Sequence, residues 1–233
     1  MRISRDTALM IHHIMDQWLP PVVRDSRLIM HPLFKMLFGI HAGAFMDFKD
    51  KSMEMNSDEI RRVYSETASS HVHRDTDINR ECLRKIEKEV IGTRVLDIAC
   101  GRGYLAGRLA KRHQVTAADF SIDSALRKQI PWVNFREAHI CCLPFADNEF
   151  DTVVCAHTLE HIPDIRQAVS ELRRVARKRL VVVVPRQRPY RYTFDLHVHF
   201  FPYRWSLMLL MGRGEKIQEC TLVGGDWFYV EDL

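Results

Sequence analysis

The sequence predicts a doubly wound α/β fold, in which helices cover both faces of a mostly parallel sheet. Short apolar segments alternate with amphipathic helical segments between residues 94 and 184, the pattern of repeated strand–helix units. Residues 180–184 form a continuous apolar run, as expected of a parallel strand buried on both faces. Two glycines, Gly101 and Gly103, follow the first apolar segment and predict a tight turn between a strand and a helix.

The composition bounds the class of protein. The 233 residues are enough for one domain with additions and for a core that needs no disulfides. The 34 Lys and Arg against 30 Asp and Glu give a net charge of +4, too small an excess to favour a nucleic-acid partner. The six cysteines include no C-x-x-C pair, so we expect a reduced, cytoplasmic protein without a metal site. We find no signal-peptide layout and no run of about 18 uncharged apolar residues, which predicts no transmembrane span.

Residues 1–60 carry no strand pattern and predict helices that precede the sheet domain, for which we expect residues 61–233. Periodic apolar residues indicate a helix over residues 7–19, and residues 32–46 are strongly apolar and rich in Met and Phe. The simplest interpretation is a helical cap on the core. A lid over a ligand pocket, a homodimer surface and a membrane-surface patch stay open, because such faces suit adaptable apolar contacts.

Helices over residues 57–89 lead to the first strand, residues 94–99, whose otherwise apolar pattern contains Asp97 near its end. The spacing of Gly101 and Gly103 also fits the G-x-G-x-x-A form of a dinucleotide-binding turn. Asp97 argues against a dinucleotide. A carboxylate at that point suits a ligand that carries positive charge, whereas it would repel a pyrophosphate.

Residues 114–121 predict the second strand, which ends in a second acid, Asp119. Asp119 follows Gly101 by 18 residues, near the roughly 20 expected for the carboxylate that holds ribose hydroxyls. One carboxylate can accept hydrogen bonds from both hydroxyls of a cis-diol. Acids at the ends of two strands therefore indicate a site for a ligand that carries a ribose and a positive charge.

The rest of the chain continues the alternation. Residues 132–136 and 150–156 predict the third and fourth strands, and residues 164–178 predict an amphipathic helix before the fifth strand. A helix over residues 205–211 precedes a terminal hairpin with strands 216–223 and 227–230 around two glycines. Residues 185–203 mix basic and aromatic side chains, as single-stranded nucleic-acid binders do, but the small net charge disfavours that function.

Four segments resemble motifs of one family. Residues 97–103, D-I-A-C-G-R-G, resemble the first motif of class I S-adenosylmethionine-dependent methyltransferases, D/E-x-G-x-G-x-G, with Ala99 at the first glycine. Residues 157–164, H-T-L-E-H-I-P-D, match the L-E-H-I-P-D loop that follows the fourth strand in that family. Residues 138–145 resemble its G-D-A-x-x-L-P-F segment, with His139 in place of the usual aspartate. Residues 64–68 resemble its Y-x-x-x-A segment.

The resemblance covers about residues 64–201 and implies a seven-stranded Rossmann-like sheet, mostly parallel, with an antiparallel last strand. It implies S-adenosylmethionine as the cofactor and a small-molecule or a lipid- or sugar-linked acceptor, as in the branch of quinone-biosynthesis and natural-product methyltransferases. The cofactor contacts that it implies are Tyr64, Asp97, Ala99, Cys100, Gly101, Gly103, Tyr104, Asp119, Phe120, His139, Ile140, Cys141, Ala156 and His157.

Two other function classes stay open. A nicotinamide-dependent oxidoreductase would use the same glycine turn, but Asp97 and the L-E-H loop disfavour it. A non-catalytic adenosyl-binding protein is the other alternative, because the sequence forces neither a nucleophile nor a metal cluster.

Methyl transfer needs a base only when the acceptor is protonated, and histidine is suited to that role near neutral pH. His161 lies in the loop after the fourth strand, and His197 and His199 lie in the loop after the fifth. We expect His161 as the first candidate and His197 or His199 as the second. Catalysis by positioning alone is the remaining alternative.

Overall fold

The computed structural model describes residues 14, 18–67, 75–192, 194–212 and 218–233. The chain forms two compact units. The helical unit contains residues up to 74 together with residues 187–200, and the sheet unit contains residues 75–186 and 201–233. The helix predicted over residues 7–19 lies largely outside the described residues.

Four helices build the described part of the helical unit: α1 (Pro21–Arg24), α2 (Arg27–Phe38), α3 (Ala42–Ser52) and α4 (Ser57–Thr67). Gly39 ends α2 with a φ of +55°, a conformation that favours glycine, and a short 3₁₀ turn leads into α3. α2 and α3 then pack against each other as a hairpin. The rings of Phe38 and Phe45 stack at 4.0 Å between centroids, and Arg27 Nη1 lies 2.9 Å from Asp47 Oδ1.

The segment of residues 187–200 belongs to the helical unit because its side chains fill that unit's core. Tyr192 is buried there, and the ring of Phe194 stacks on Phe34 at 4.6 Å. The ammonium of Lys49 donates to the carbonyl of Tyr190 and lies 4.0 Å from the ring centroid of Phe200. The unit thus includes more of the chain than the predicted segment 1–60, whose role as a cap or lid stays a prediction.

The sheet unit contains a seven-stranded sheet, which confirms the predicted fold. Its strands are β1 (Arg94–Ile98), β2 (Gln114–Asp119), β3 (Asn134–Glu137), β4 (Phe150–Ala156), β5 (Ala176–Pro185), β6 (Gln218–Val223) and β7 (Asp226–Asp232). Their order in the sheet is β3-β2-β1-β4-β5-β7-β6. The first five strands pair in parallel, and β7 pairs antiparallel with both β5 and β6.

Five helices accompany these strands: α5 (Arg80–Glu89), α6 (Tyr104–Leu109), α7 (Ser124–Gln129), α8 (Ile165–Val175) and α9 (Arg204–Met211). Successive residues of β5 alternate between two buried clusters, Val181 and Val183 in one, Val182 and Val184 in the other. The strand is therefore covered on both faces, as the apolar run predicts.

The boundary between α8 and β5 differs from the prediction. The sequence predicts a helix to residue 178, but α8 ends at Val175 and β5 already begins at Ala176. In the sequence, the charged residues 177–179 are typical of a solvated helix surface. In the structure they belong to β5, where their side chains pair with carboxylates. Arg177 pairs with Asp151, and Arg179 Nε lies 2.7 Å from Asp232 Oδ1.

Candidate functional site

The carboxyl ends of four neighbouring strands meet at one edge of the sheet unit. Ile98 at the end of β1 is in register with Ala118 of β2 on one side and Cys155 of β4 on the other. The backbone N–H of Ala138, just after β3, donates to the carbonyl of Asp119 at 2.8 Å. The loops after these strands therefore lie side by side, where open α/β sheets bind ligands. This edge brings together the predicted cofactor contacts that lie between residues 97 and 157.

The turn after β1 needs left-handed backbone at three positions. Ala99, Gly101 and Gly103 have φ angles of +56°, +50° and +69°. The N–H of Cys100 donates to the Ala118 carbonyl at 3.1 Å, and the N–H of Gly103 donates to the Cys100 carbonyl at 2.8 Å. Only glycine adopts such angles without strain, so Ala99, at the family's first glycine position, holds a costly conformation.

Asp97 is an acid at this edge whose hydrogen-bonding capacity the described residues satisfy only in part. Its side chain is buried, with 3% of the residue exposed, and its Oδ2 has no hydrogen-bond partner among the described residues. Burial raises the pKa of Asp97 to about 7; an N–H from Ala106 opposes the shift, and the nearby Asp119 adds to it. A buried carboxylate oxygen without a partner is costly, and a cationic group of a ligand would compensate it.

Asp119 is held in place by the glycine turn. Its Oδ2 accepts the backbone N–H of Gly101 at 2.8 Å, and its Oδ1 accepts that of Ser121 at 3.4 Å. Burial raises the pKa of Asp119 above its usual range. The backbone N–H of Phe120 also acts on this carboxylate, which has about four acceptor sites and so retains capacity for a ligand hydroxyl.

The loop after β3 is fastened to the start of α8. The thiol of Cys141 donates to the Asp164 carbonyl at 3.5 Å, and Gln167 Nε2 donates to the Cys141 carbonyl at 3.3 Å. The side chain of His139 is exposed, whereas that of Ile140 is buried in the core, which leaves the backbone of Ile140 for any ligand. The adenine contacts expected of these three residues stay predictions.

His157 opens the loop after β4 with a φ of +51°, and its ring, 14% exposed, lies between two carboxylates. Its Nε2 lies 3.2 Å from Asp226 Oδ2, and its Nδ1 lies 3.6 Å from Glu160 Oε1. Burial lowers the pKa of His157, but the two carboxylates outweigh burial and raise it to about 9. The imidazole is therefore cationic at neutral pH and holds the L-E-H loop to the terminal hairpin.

Sequence reasoning missed Glu160 and Asp226. Glu160 is 0% exposed, and neither carboxylate oxygen has a hydrogen-bond partner among the described residues, His157 being its ionic neighbour. The position of Glu160 in the L-E-H loop could have marked it as a candidate site residue. Burying an acid beside a ligand-binding edge costs free energy, so such an acid is expected to serve the site. Asp226 gave no such signal, since it reaches His157 from the distant hairpin.

The histidine candidates fall in both units. His161 ends a 3₁₀ turn, Leu159–His161, in the sheet unit and is partly exposed. His197 belongs to the helical unit, where Nδ1 lies 2.6 Å from Gln187 Oε1 and Nε2 lies 3.6 Å from Asp195 Oδ2. Both of its ring nitrogens thus face acceptor oxygens.

Two further predicted site residues also lie in the helical unit. His199 is partly exposed there. Tyr64 meets Phe48 edge-on at 6.1 Å between ring centroids. The functional roles expected of both residues stay predictions.

Comparison with known proteins shows what the segment that forms this site is similar to. The family model described as "Methyltransferase domain" matches residues 96–184. A 2-phytyl-1,4-naphtoquinone methyltransferase from Trichormus variabilis is 38% identical over 96 residues, which cover 36% of this chain and 42% of that protein. A ubiquinone biosynthesis O-methyltransferase from Paracidovorax citrulli is 35% identical over 95 residues, 37% of this chain and 40% of that protein. The chain thus spans less than half the length of these curated relatives.

Solved structures support the fold. A SAM-dependent methyltransferase from Aquifex aeolicus superposes with a TM-score of 0.52 at 18% identity, over 76% of this chain and 98% of that one. A SAM-dependent methyltransferase from Thermotoga maritima gives a TM-score of 0.51 at 19% identity, over 64% of this chain and 86% of that one. At these identities the likeness extends to the sheet and its helices and no further.

Proposed function

We propose that the chain transfers the methyl group of S-adenosylmethionine to a small-molecule or lipid-linked acceptor, as a class I S-adenosylmethionine-dependent methyltransferase; the match of residues 96–184 to the model described as "Methyltransferase domain" supports this. The observation that carries the proposal is the pair of acids at the carboxyl edge of the sheet. Asp97 offers a buried oxygen without a partner, and Asp119 offers a carboxylate fixed by the Gly101 N–H.

The two acids fit opposite parts of this cofactor. Asp119 would hold the ribose diol, since a carboxylate fixed at the end of β2 is suited to accept hydrogen bonds from ribose hydroxyls. Asp97 would compensate the positive charge of the amino-acid end, which the unpaired oxygen favours. The turn at residues 99–103 exposes Gly101, where an added Cβ would meet no atom within 4 Å, so backbone can approach a ligand.

The cofactor supplies an activated methyl group on a sulfonium, so the protein's task is to position the acceptor and exclude water. Where the acceptor carries a hydroxyl or phenol, a base must take its proton. His161 is our first candidate, because it belongs to the loop after β4 at the ligand edge and is partly exposed. Both ring nitrogens of His197 already face acceptor oxygens of its own unit, which makes it the weaker candidate.

The acceptor class is inferred from the relatives. Two of them are named for naphthoquinone and ubiquinone pathways. Their similarity to the cofactor-binding half supports an aromatic acceptor with an apolar tail as the first class to test. A lid formed by residues 1–60 and a homodimer are secondary proposals.

Two measurements test the function. Isothermal titration with S-adenosylmethionine and with NAD should show binding of the former alone, and the reverse result would favour an oxidoreductase. A mass screen of hydroxylated quinones and phenols should then reveal a product heavier by about 14 Da, the mass of CH₂. Cofactor binding without any methylated product across such a panel would favour the non-catalytic alternative.

A further inference from the structure

Helix α2 presents an outward stripe of apolar side chains. Leu28, Pro32 and Met36 recur every four residues and are all exposed, Leu28 at 89% and Met36 at 70%. Ile40, in the turn just after the helix, is 94% exposed. We call Leu28, Pro32 and Met36 the apolar stripe. A surface that faces only water rarely exposes several large apolar side chains on one short segment.

A basic stripe runs directly beside it. Arg27, His31 and Lys35 also recur every four residues, one position before each member of the apolar stripe, and all three are exposed. No acidic residue occurs between residues 27 and 46. The opposite side of α2 is committed to the core, where Met30 and Phe34 are buried. The helix therefore has one face for the protein, one that is apolar and exposed, and one that is basic.

The helix does not cross a membrane in this arrangement. By length and composition alone the helical stretch Arg27–Ser52 could span a bilayer, although Lys35 interrupts it and it contains no run of about 18 uncharged apolar residues. However, Gly39 interrupts the stretch, and the ion pair between Arg27 and Asp47 closes it into a hairpin. The aromatic side chains of this stretch pack in the core of the helical unit. A helix that keeps an exposed apolar stripe while folded in this way suits a membrane interface.

We propose that α2 docks the protein on an anionic lipid surface. The apolar stripe enters the boundary between headgroups and acyl chains, while the basic stripe lies at the level of the lipid phosphates. The adjacent stripes place the two kinds of contact at different depths of the same interface. The charge complementarity selects a lipid surface over a second copy of the same basic face: Lys35 is an exposed cation, Arg27 is partly shared with Asp47, and no acid occurs along residues 27–46. This proposal does not rest on methyl transfer.

The test is flotation of the full chain with vesicles, in the absence of cofactor and acceptor. Vesicles of phosphatidylcholine and phosphatidylglycerol in equal parts should carry the protein, and vesicles of phosphatidylcholine alone should carry it much less. The Leu28→Gln/Met36→Gln variant should lower the partition coefficient at least about tenfold, since it removes the inserted apolar area. Lys35→Gln should lower it about fivefold on the anionic vesicles only.

Two exposed positions of the sheet unit supply matched controls. Leu209→Gln replaces a side chain that is 70% exposed, the same fraction as Met36, and Lys111→Gln removes an exposed cation; neither should change vesicle binding. Equal flotation of the stripe variants and the controls would overturn the proposal. So would a dimer in sedimentation velocity that dissociates on Leu28→Gln/Met36→Gln without vesicle binding, because the face would then belong to a second copy.

Discussion

The Nε2 of His157 lies 3.2 Å from the Oδ2 of Asp226, which joins the loop after β4 to the turn of the terminal hairpin. The same carboxylate oxygen accepts the side-chain amide of Asn79 at 2.8 Å. Asn79 in turn caps α5, its Oδ1 accepting the N–H of Cys82. One partly buried acid thus connects three elements that are distant in sequence, and the imidazolium of His157 compensates its charge.

This ion pair predicts a pH-dependent stability. The folded pKa of His157, about 9, lies above the unfolded value near 6.5, so the stabilisation is fully present below pH 6.5 and is lost as the pH rises through 9. His157→Gln should lower the free energy of unfolding by about 2 kcal/mol at pH 6 and by much less at pH 10. Urea unfolding at both pH values measures the difference, with the exposed His139→Gln as control. A pH-independent effect would contradict the ion pair.

The strained turn predicts a stabilising substitution. Ala99 has a φ of +56°, so Ala99→Gly should raise the free energy of unfolding by up to about 1 kcal/mol, as relief of strain exceeds the entropy cost of glycine. Ala110→Gly is the matched control, because Ala110 has a φ of −64° at the end of α6 and should lose up to about 1 kcal/mol. If Ala99→Gly lowered the free energy of unfolding, as Ala110→Gly should, Ala99 would be unstrained.

The sequence predicted the sheet, the glycine turn and its two acids because each of these is encoded locally. Strand periodicity, the glycine spacing and Asp97 lie within a dozen residues of one another. The tethers across the fold could not be predicted in this way. Asp226 reaches His157 only after the hairpin has paired with β5, and Lys49 meets Tyr190 only after residues 187–200 have packed on α3. Such partners depend on tertiary contacts that no local pattern records.

Asp119 is predicted to hold the ribose of the cofactor. Asp119→Ala should weaken S-adenosylmethionine binding by about 2–4 kcal/mol, because two charge-assisted hydrogen bonds are lost. Titration calorimetry measures the affinity, and Asp123→Ala, an exposed acid that caps α7, serves as control. Unchanged affinity in Asp119→Ala would reject the ribose assignment.

Asp97 is predicted to make cofactor affinity depend on pH. The pKa of Asp97 is about 7 in the unliganded protein, so below pH 7 its carboxyl is protonated and must lose that proton to pair with a cation. The affinity should therefore rise between pH 6 and pH 7 and then level off, with proton release detectable below pH 7. Calorimetry in two buffers of different ionisation enthalpy measures that release. Asp97→Asn should bind weakly with no such pH dependence, and a retained dependence would assign the proton to another group.

His161 is predicted to act as the base when the acceptor is a hydroxyl or phenol. Its imidazole belongs to the loop after β4, at the edge where Asp97 and Asp119 are placed, and it is partly exposed. His161→Gln should lower kcat by about 10²–10⁴-fold and leave the affinity for S-adenosylmethionine unchanged. The acidic limb of the kcat profile should also disappear, which a merely structural role would not cause. His31→Gln, at an exposed histidine of α2 outside the expected site residues, controls for the general effect of removing an imidazole. If His161→Gln lowers kcat by less than about tenfold and keeps the acidic limb, no base acts at this position and the alignment of acceptor and methyl group carries the reaction.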